Sequence, residues 1–266
     1  MENLNRPVPT ADGSHTLLSD RFGQSYHSVH GALAESRRVF LELGFEFVAD
    51  HPNPRKGSET LAGLASPDRL NVLEMGFGTG LNALLTWLEA DRRALPVRYT
   101  TLEAYPISST DLSALNYDAV LHTDRLRHLH AAPWGEDVPL GEFFTIRKER
   151  TTLEKFLGMP EPDSASLSGR FKPPAEGSRI RLGNNDVDLV YFDAFSPDTQ
   201  PELWTAEVFT GLAKKMAPNG VLTTYSAKGS VRRALQAAGF RVEKHPGPPG
   251  KREVVRAVLS ANGGFL

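Results

Sequence analysis

The run NVLEMGFGTGLNALLTWL, residues 71–88, does most to limit what this chain can fold into. A short apolar strand through Val72 and Leu73 ends at an acid, Glu74. A turn with glycine at alternate positions follows, Gly76, Gly78 and Gly80, and then an apolar helix. A strand that turns so sharply into a helix belongs at the carboxyl edge of an α/β sheet, where backbone approaches a small ligand closely. Dinucleotide sites use such glycines to seat a pyrophosphate on a helix N-terminus. Here the Glu74 carboxylate would repel a pyrophosphate and would accept hydrogen bonds from a cationic or hydroxyl-bearing ligand. S-adenosylmethionine carries an ammonium, a sulfonium and no phosphate. It fits better than a nicotinamide cofactor; a tight turn without a ligand is the remaining reading.

Two further acids follow strands. Val97 to Glu103 reads as a second strand, with Pro96 at its start, and Glu103 is placed to accept hydrogen bonds from ribose hydroxyls. Val187 to Asp193 reads as a buried strand, followed by Ala-Phe-Ser-Pro. Asp193 therefore stands at the edge where open sheets bind ligands. Its alternative use is to cap the next helix. Phe195 is suited to stacking on a planar base. Methylation of an amine needs a neutral nitrogen in line with the methyl group, so positioning supplies much of the effect. A carboxylate nearby favours the developing ammonium and accepts a proton. Tyr225 and Ser226 follow a later strand at the same edge, with turn hydrogen bonding as their alternative. Lys251 and Arg252 either meet phosphate or solvate the last hairpin, and Trp204 reads as a helix-to-core anchor.

The remaining pattern alternates strands and helices. Residues 1–20 form an extended or frayed arm or a short hairpin, and 28–43 a helix with an apolar stripe through Ala32, Leu33, Val39, Phe40 and Leu43. The block 51–58 is a turn-rich break. Helices are expected at 80–91, 108–120 (capped by Ser109 or Asp111), 123–133, 151–157, 202–215 and 229–238. A third strand is expected at Phe143 to Arg147. Pro218-Asn219-Gly220 forms a tight turn feeding the strand Val221 to Tyr225. The strands 241–244 and 253–259 make a terminal hairpin, giving a mostly parallel sheet an antiparallel C-terminal edge. The stretch 158–178 is rich in Pro, Gly and Ser and is too long for an ordinary loop, so it reads as an insertion, with a partial hairpin at 179–182. The division is thus an arm and helix, 1–69, capping the substrate side, and an α/β domain, 70–266.

Composition narrows the chemistry. The 266 residues contain no cysteine, which excludes disulfides, thiol nucleophiles and cysteine-built metal sites. The eight histidines form no HExxH, and His122, His128 and His130 read as a surface helix or loop rather than a metal site. No stretch approaches the roughly 20 apolar residues of a membrane span. The start has no secretory pattern, so a cytoplasmic location is expected. With 30 basic and 32 acidic residues the formal charge is −2, which does not announce a nucleic-acid binder. The basic segments 147–155, 228–233 and 251–256 read as solvated faces or local patches.

Five stretches carry a resemblance: SYHSVHGALAESRRVFLELG (25–44), LEMGFGTGLNALLTW (73–87), YFDAFSPDTQPELWTAEVF (191–209), TYSAKGSVRRALQAAGF (224–240) and GKREVVRA (250–257). In these the chain resembles the methyltransferase domain of the bifunctional tRNA wobble-uridine enzymes, MnmC, and looks closest to their stand-alone MnmD-like form. The resemblance implies a Rossmann-like class I methyltransferase that uses S-adenosyl-L-methionine, with no metal and no FAD. It implies methylation of the aminomethyl group of 5-aminomethyl-(2-thio)uridine at tRNA position 34. By motif match, Glu74, Gly76, Gly78, Gly80 and Glu103 belong to the cofactor site. Asp193 is the catalytic residue beside the amine, and Phe195 and Pro197 shape the pocket. Tyr26, His27 and Glu35 look like pocket or lid residues, and Tyr225, Lys251 and Arg252 are further substrate contacts. Many relatives read L-D-G-F-x-P where this chain has Phe192-Asp193-Ala194-Phe195-Ser196-Pro197; Ala194 is tolerated if its backbone is ordinary. The sequence carries no second glycine-rich FAD module, so the aminomethyl group would come from other enzymes, a functional link. A monomer or weak homodimer without membrane attachment is expected.

Two other readings stay open. One is methyl or aminopropyl transfer to a small free amine, which near-neutral charge modestly favours. The other is a non-catalytic scaffold that binds S-adenosylmethionine or RNA without turnover.

Overall fold

The computed structural model describes residues 5–51, 69–159 and 186–260. Strands β1 (Arg6–Pro9), β2 (His15–Ser19) and β3 (Gln24–Ser25) form a small antiparallel sheet. The main sheet contains β4 (Leu70–Met75), β5 (Val97–Leu102), β6 (Asp137–Pro139), β7 (Phe144–Glu149), β8 (Val187–Phe192), β9 (Met216–Thr224), β10 (Phe240–Pro246) and β11 (Glu253–Leu259). Their order is β10-β11-β9-β8-β4-β5-β7-β6. The five strands from β9 to β7 pair in parallel, and the hairpin β10-β11 adds the antiparallel C-terminal edge read from sequence. A second antiparallel edge, β6 on β7, has no counterpart in the sequence reading; its three residues include a proline at the end, too little pattern to mark a strand.

Both central strands, β4 and β8, are buried along their whole length, as a sheet covered on two faces requires. Alternate residues serve opposite faces. Val72, Leu189 and Tyr191 pack with the helical run 32–50 and the helix Leu81–Arg93. Leu73, Val190 and Phe192 pack with the helices Ala206–Ala213 and Gly229–Ala237. The chain builds outward from β4 to β5 and β7, then returns to β8 and builds the other way. The crevice outside the carboxyl ends of β4 and β8 is therefore the switch point where open sheets take ligands.

Several boundaries differ from expectation for local reasons. The first helix begins at Ala32 rather than 28 and continues to Asp50, through a π-helical stretch at Arg37–Glu46. The expected helix 108–120 divides into Ser109–Ser113 and Tyr117–Leu121. Between them Asn116 leaves the helix to pin the β1-β2 hairpin, accepting from the His15 N–H (2.7 Å) and donating to the Gly13 carbonyl (2.9 Å). Ser108 caps the first piece in a reciprocal box with Asp111. The expected helix 202–215 breaks at Thr205, which is extended and caps Ala206–Ala213 after a single turn at Pro201–Trp204. Pro218-Asn219-Gly220 lies inside β9, where the register with β8 shifts and Asn219 takes a φ of 60°. The expected excursion 158–178 from residue 160 onward, the partial hairpin 179–182 and the turn-rich block from residue 52 onward lie outside the described residues. No helix among the described residues is long and apolar enough to cross a membrane.

Candidate functional site

Parallel pairing brings the three acids to one edge. Met75 at the end of β4 lies opposite Phe192 at the end of β8 and Leu102 at the end of β5. The ladder runs one step further. The Asp193 N–H donates to the Met75 carbonyl (3.1 Å), the Gly76 N–H to Leu102 (3.0 Å) and the Glu103 N–H to Glu149 (2.9 Å). Gly76, Asp193 and Glu103 thus leave the sheet side by side.

The glycine turn needs its glycines for two separate reasons. Gly76 has a φ of +91°, and a Cβ there would stand 3.0 Å from the Asp193 carbonyl oxygen. Gly78 has a φ of +49°, and its Cβ would stand 2.9 Å from the Tyr26 ring. Side chains at either position would be strained and would push apart the walls of the crevice. Gly80 then leads into the helix Leu81–Arg93. Glu103 braces the same turn: one carboxylate oxygen accepts the Gly78 N–H (2.9 Å) and the other the Tyr105 N–H (2.7 Å). Each oxygen keeps a lone pair for a ligand hydroxyl. Burial raises the Glu103 pKa, opposed by these backbone donors. The turn and Glu103 offer close backbone approach, a hydroxyl acceptor and no phosphate-binding cation. That set fits the nucleoside of S-adenosylmethionine.

Glu74 is fully buried beneath the turn and presents no surface to a ligand in this conformation. Its Oε2 accepts the Thr101 hydroxyl (2.7 Å) and its Oε1 has no partner among the described residues. Burial pushes its pKa up to about 8, and the Asp193 charge adds to the rise.

Asp193 is half-buried, and its Oδ2 accepts from the Asn82 amide at 2.8 Å. Burial pushes it up to about 7, with Glu35 adding to the rise and Asn82 and Lys251 opposing it. Beside it the Phe195 ring meets Phe22 (centroids 4.2 Å apart) and Tyr26 (5.3 Å). The segment that carries these rings is held at several points. Trp204 donates its indole N–H to the Phe195 carbonyl (2.9 Å). Tyr225 donates its hydroxyl to the Ala194 carbonyl (2.8 Å). Gln24 Oε1 accepts from the Ser196 N–H and the Thr199 hydroxyl. Pro197 follows, half-buried. Ala194 has no positive φ, so its methyl group is accommodated without backbone strain.

The N-terminal segment and the last hairpin close the other side. Lys251 lies 4.2 Å above the Tyr225 ring centre and pairs with Glu35, whose second oxygen accepts the Ser28 N–H (2.7 Å). His27 is buried, its Nδ1 has no partner among the described residues, and burial pulls it down to about 4, so the ring is neutral. Asp193, Phe195, Tyr26, Tyr225, Lys251 and Glu35 are thus linked through shared neighbours. Arg252 is set apart, exposed on the turn.

Two solvated readings are corrected. His130 packs on Phe77 (4.8 Å) with its Nε2 3.0 Å from the Thr79 carbonyl, supporting the glycine turn from behind. Within the basic segment 147–155, Lys148 is buried. Its ammonium donates to the His130 carbonyl (2.6 Å) and lies 4.8 Å from the Trp134 ring centre, and burial lowers it to about 8. Residues that sequence reasoning missed are Phe22, Gln24 and Asn82. Asn82 had a signal, a lone amide in the apolar first turns of a helix; Phe22 and Gln24 become visible only once the small sheet is placed.

Residues 177–260 match a family described as S-adenosyl-L-methionine-dependent methyltransferase. The chain is 33% identical over 247 residues to the tRNA 5-methylaminomethyl-2-thiouridine biosynthesis bifunctional protein MnmC of Paracidovorax citrulli, covering 91% of this chain and 34% of that protein. It is 31% identical over 242 residues to the protein of the same name from Pseudomonas fluorescens, covering 88% and 32%. The chain spans about a third of the length of these relatives. The crystal structure of MnmC2 from Aquifex aeolicus shares the fold, with a TM-score of 0.65 at 23% identity, covering 98% of this chain and 72% of that one.

Proposed function

We propose that this chain, which belongs to the S-adenosyl-L-methionine-dependent methyltransferases and is related to the MnmC proteins, methylates the aminomethyl nitrogen of 5-aminomethyl-(2-thio)uridine at tRNA wobble position 34. The similarity over 91% of the chain to proteins named for 5-methylaminomethyl-2-thiouridine biosynthesis carries the reading, because the product named differs from the aminomethyl nucleoside by one methyl. The site supports it. Gly76, Gly78 and Gly80 give the cofactor close backbone approach, and Glu103 accepts from its ribose hydroxyls. The bound cofactor supplies a methyl group activated by a sulfonium. Phe195, Phe22 and Tyr26 offer aromatic faces to a splayed-out uracil, the way single nucleotides are commonly held. Asp193 takes one proton from the substrate ammonium, freeing the nitrogen lone pair, and passes it to solvent; its carboxylate then faces the positive charge that returns as the N–C bond forms and the methyl's bond to sulfur breaks. Glu35 and Lys251 fasten the segment 5–51 over the substrate side as a cap. Tyr225 and Arg252 complete its rim.

The test is methyl transfer from labelled S-adenosylmethionine to tRNA bearing 5-aminomethyluridine at position 34, read by nucleoside mass. A gain of one methyl on that nucleoside is expected; none, with cofactor binding intact, would sink the reading. Ionic strength supplies a second check. A tRNA substrate should lose apparent affinity steeply between about 50 and 200 mM salt, because phosphate contacts release counterions. A small amine substrate should show little change.

A further inference from the structure

We infer that Asn82 is a positioning residue: its side-chain amide, at the start of the helix that follows the glycine turn, orients the acid at the reacting edge and holds Asp193 in its proton-accepting form. The inference rests on the role proposed above for Asp193.

Asn82 is the second residue of the helix that leaves Gly80, and it is 3% exposed. Its Nδ2 donates to Asp193 Oδ2 at 2.8 Å, the only hydrogen bond to that carboxylate among the described residues. The Asn82 Oδ1 is buried without a partner among the described residues, as are Glu74 Oε1 and the Tyr99 hydroxyl. An amide turned the other way would aim its carbonyl oxygen at the Asp193 carboxylate. Asp193 therefore sets its orientation, and the unsatisfied oxygen is the consequence.

The groups that face Asp193 leave it dependent on this donor. Glu35, on the N-terminal helix, opposes its ionisation with a negative charge, while Glu74 on β4 is itself pushed up by the Asp193 charge. Lys251, from the β10-β11 turn, favours ionisation but is paired with Glu35. The hydroxyls of Tyr99, Tyr117 and Tyr225 interact with it and are kept neutral by burial. Without the Asn82 amide, a desolvated carboxylate would keep the Glu35 charge and no hydrogen-bond donor among the described residues, and would hold its proton to higher pH. The substrate ammonium could then pass its proton to Asp193 only above that pH.

The test compares wild type with Asn82→Leu, which keeps the branched shape but has no donor, and Asn82→Asp, nearly isosteric but replacing the donor by an acid. The cofactor-free proteins are labelled with ¹³C at aspartate carboxyls and titrated by NMR, the Asp193 signal being assigned by its loss in Asp193→Asn. In both variants the Asp193 midpoint should rise by about one unit or more. The acid limb of kcat/KM should rise with it, giving about a fivefold loss at pH 7 for a rise of one unit and recovery at high pH. An unchanged midpoint, or a loss of activity uniform across pH, would overturn the inference. If Asn82→Leu fails to fold, Asn82→Asp alone decides it. Should wild type methylate no tRNA, the proposed substrate fails, while the titration still decides what Asn82 does to Asp193.

Discussion

Asp193→Ala should reduce methyl transfer by about 10²–10⁴-fold, the range supplied by a positioned acid–base group, while S-adenosylmethionine affinity changes little. The asymmetry follows from the geometry. Asp193 makes its side-chain hydrogen bond to Asn82, whereas the turn is braced by Glu103. Single-turnover transfer and calorimetric cofactor titration separate the two effects; unchanged turnover would remove Asp193 from the mechanism. Asp193→Asn should be equally inactive but more stable than wild type at alkaline pH. The folded state raises Asp193 from the ordinary 3.8 to about 7, so it binds this proton more tightly than the unfolded chain does. The stability so contributed is complete below about pH 4 and is lost as pH rises through about 7. An amide in its place removes that loss. The thermal midpoint of Asp193→Asn should therefore exceed that of wild type at pH 8, and the gap should close toward pH 4. A gap that widens on acidification would contradict the raised value.

The same balance explains which parts of the molecule were legible in the sequence. Glu74, the alternate glycines and Asp193 are local signals: each marks a strand ending where a turn must approach something closely. The sheet orders them, so the edge that brings them together could be read without a structure. The burial of Glu74 could not, because an acid at the end of a strand looks the same whether it faces a ligand or the core. Helix ends failed where one side chain had a distant task. Asn116 ends a helix to hold the β1-β2 hairpin 101 residues away, and local propensity carries no trace of that. Lys148 shows the same limit. In a run of charges it reads as solvated, yet two aromatic rings and a carbonyl hold it inside. The pocket wall built from Phe22, Gln24 and Phe195 joins residues from opposite ends of the chain, so only the assembled fold reveals it.

Glu103→Ala should weaken S-adenosylmethionine binding by about 10²–10³-fold and leave the Asp193 titration unchanged. Two losses add. The Gly78 and Tyr105 N–H groups lose the acceptor that holds the turn, and an unsatisfied buried donor costs about 1–3 kcal/mol. The ribose hydroxyls lose a charged acceptor, worth about 1.5–3 kcal/mol per hydrogen bond. The water that enters recovers part of both, which keeps the net below their sum. Glu103→Gln should fall between wild type and alanine. Its amide keeps one oxygen for one backbone donor but turns an –NH2 toward the other, exchanging a bond for a repulsion. Calorimetry across the three proteins measures the series, and saturating cofactor should restore much of the turnover, because Asp193 and Asn82 are untouched. Wild-type affinity in Glu103→Ala would mean that the cofactor does not rest on this carboxylate, and the glycine turn would then have to hold the nucleoside through its backbone alone.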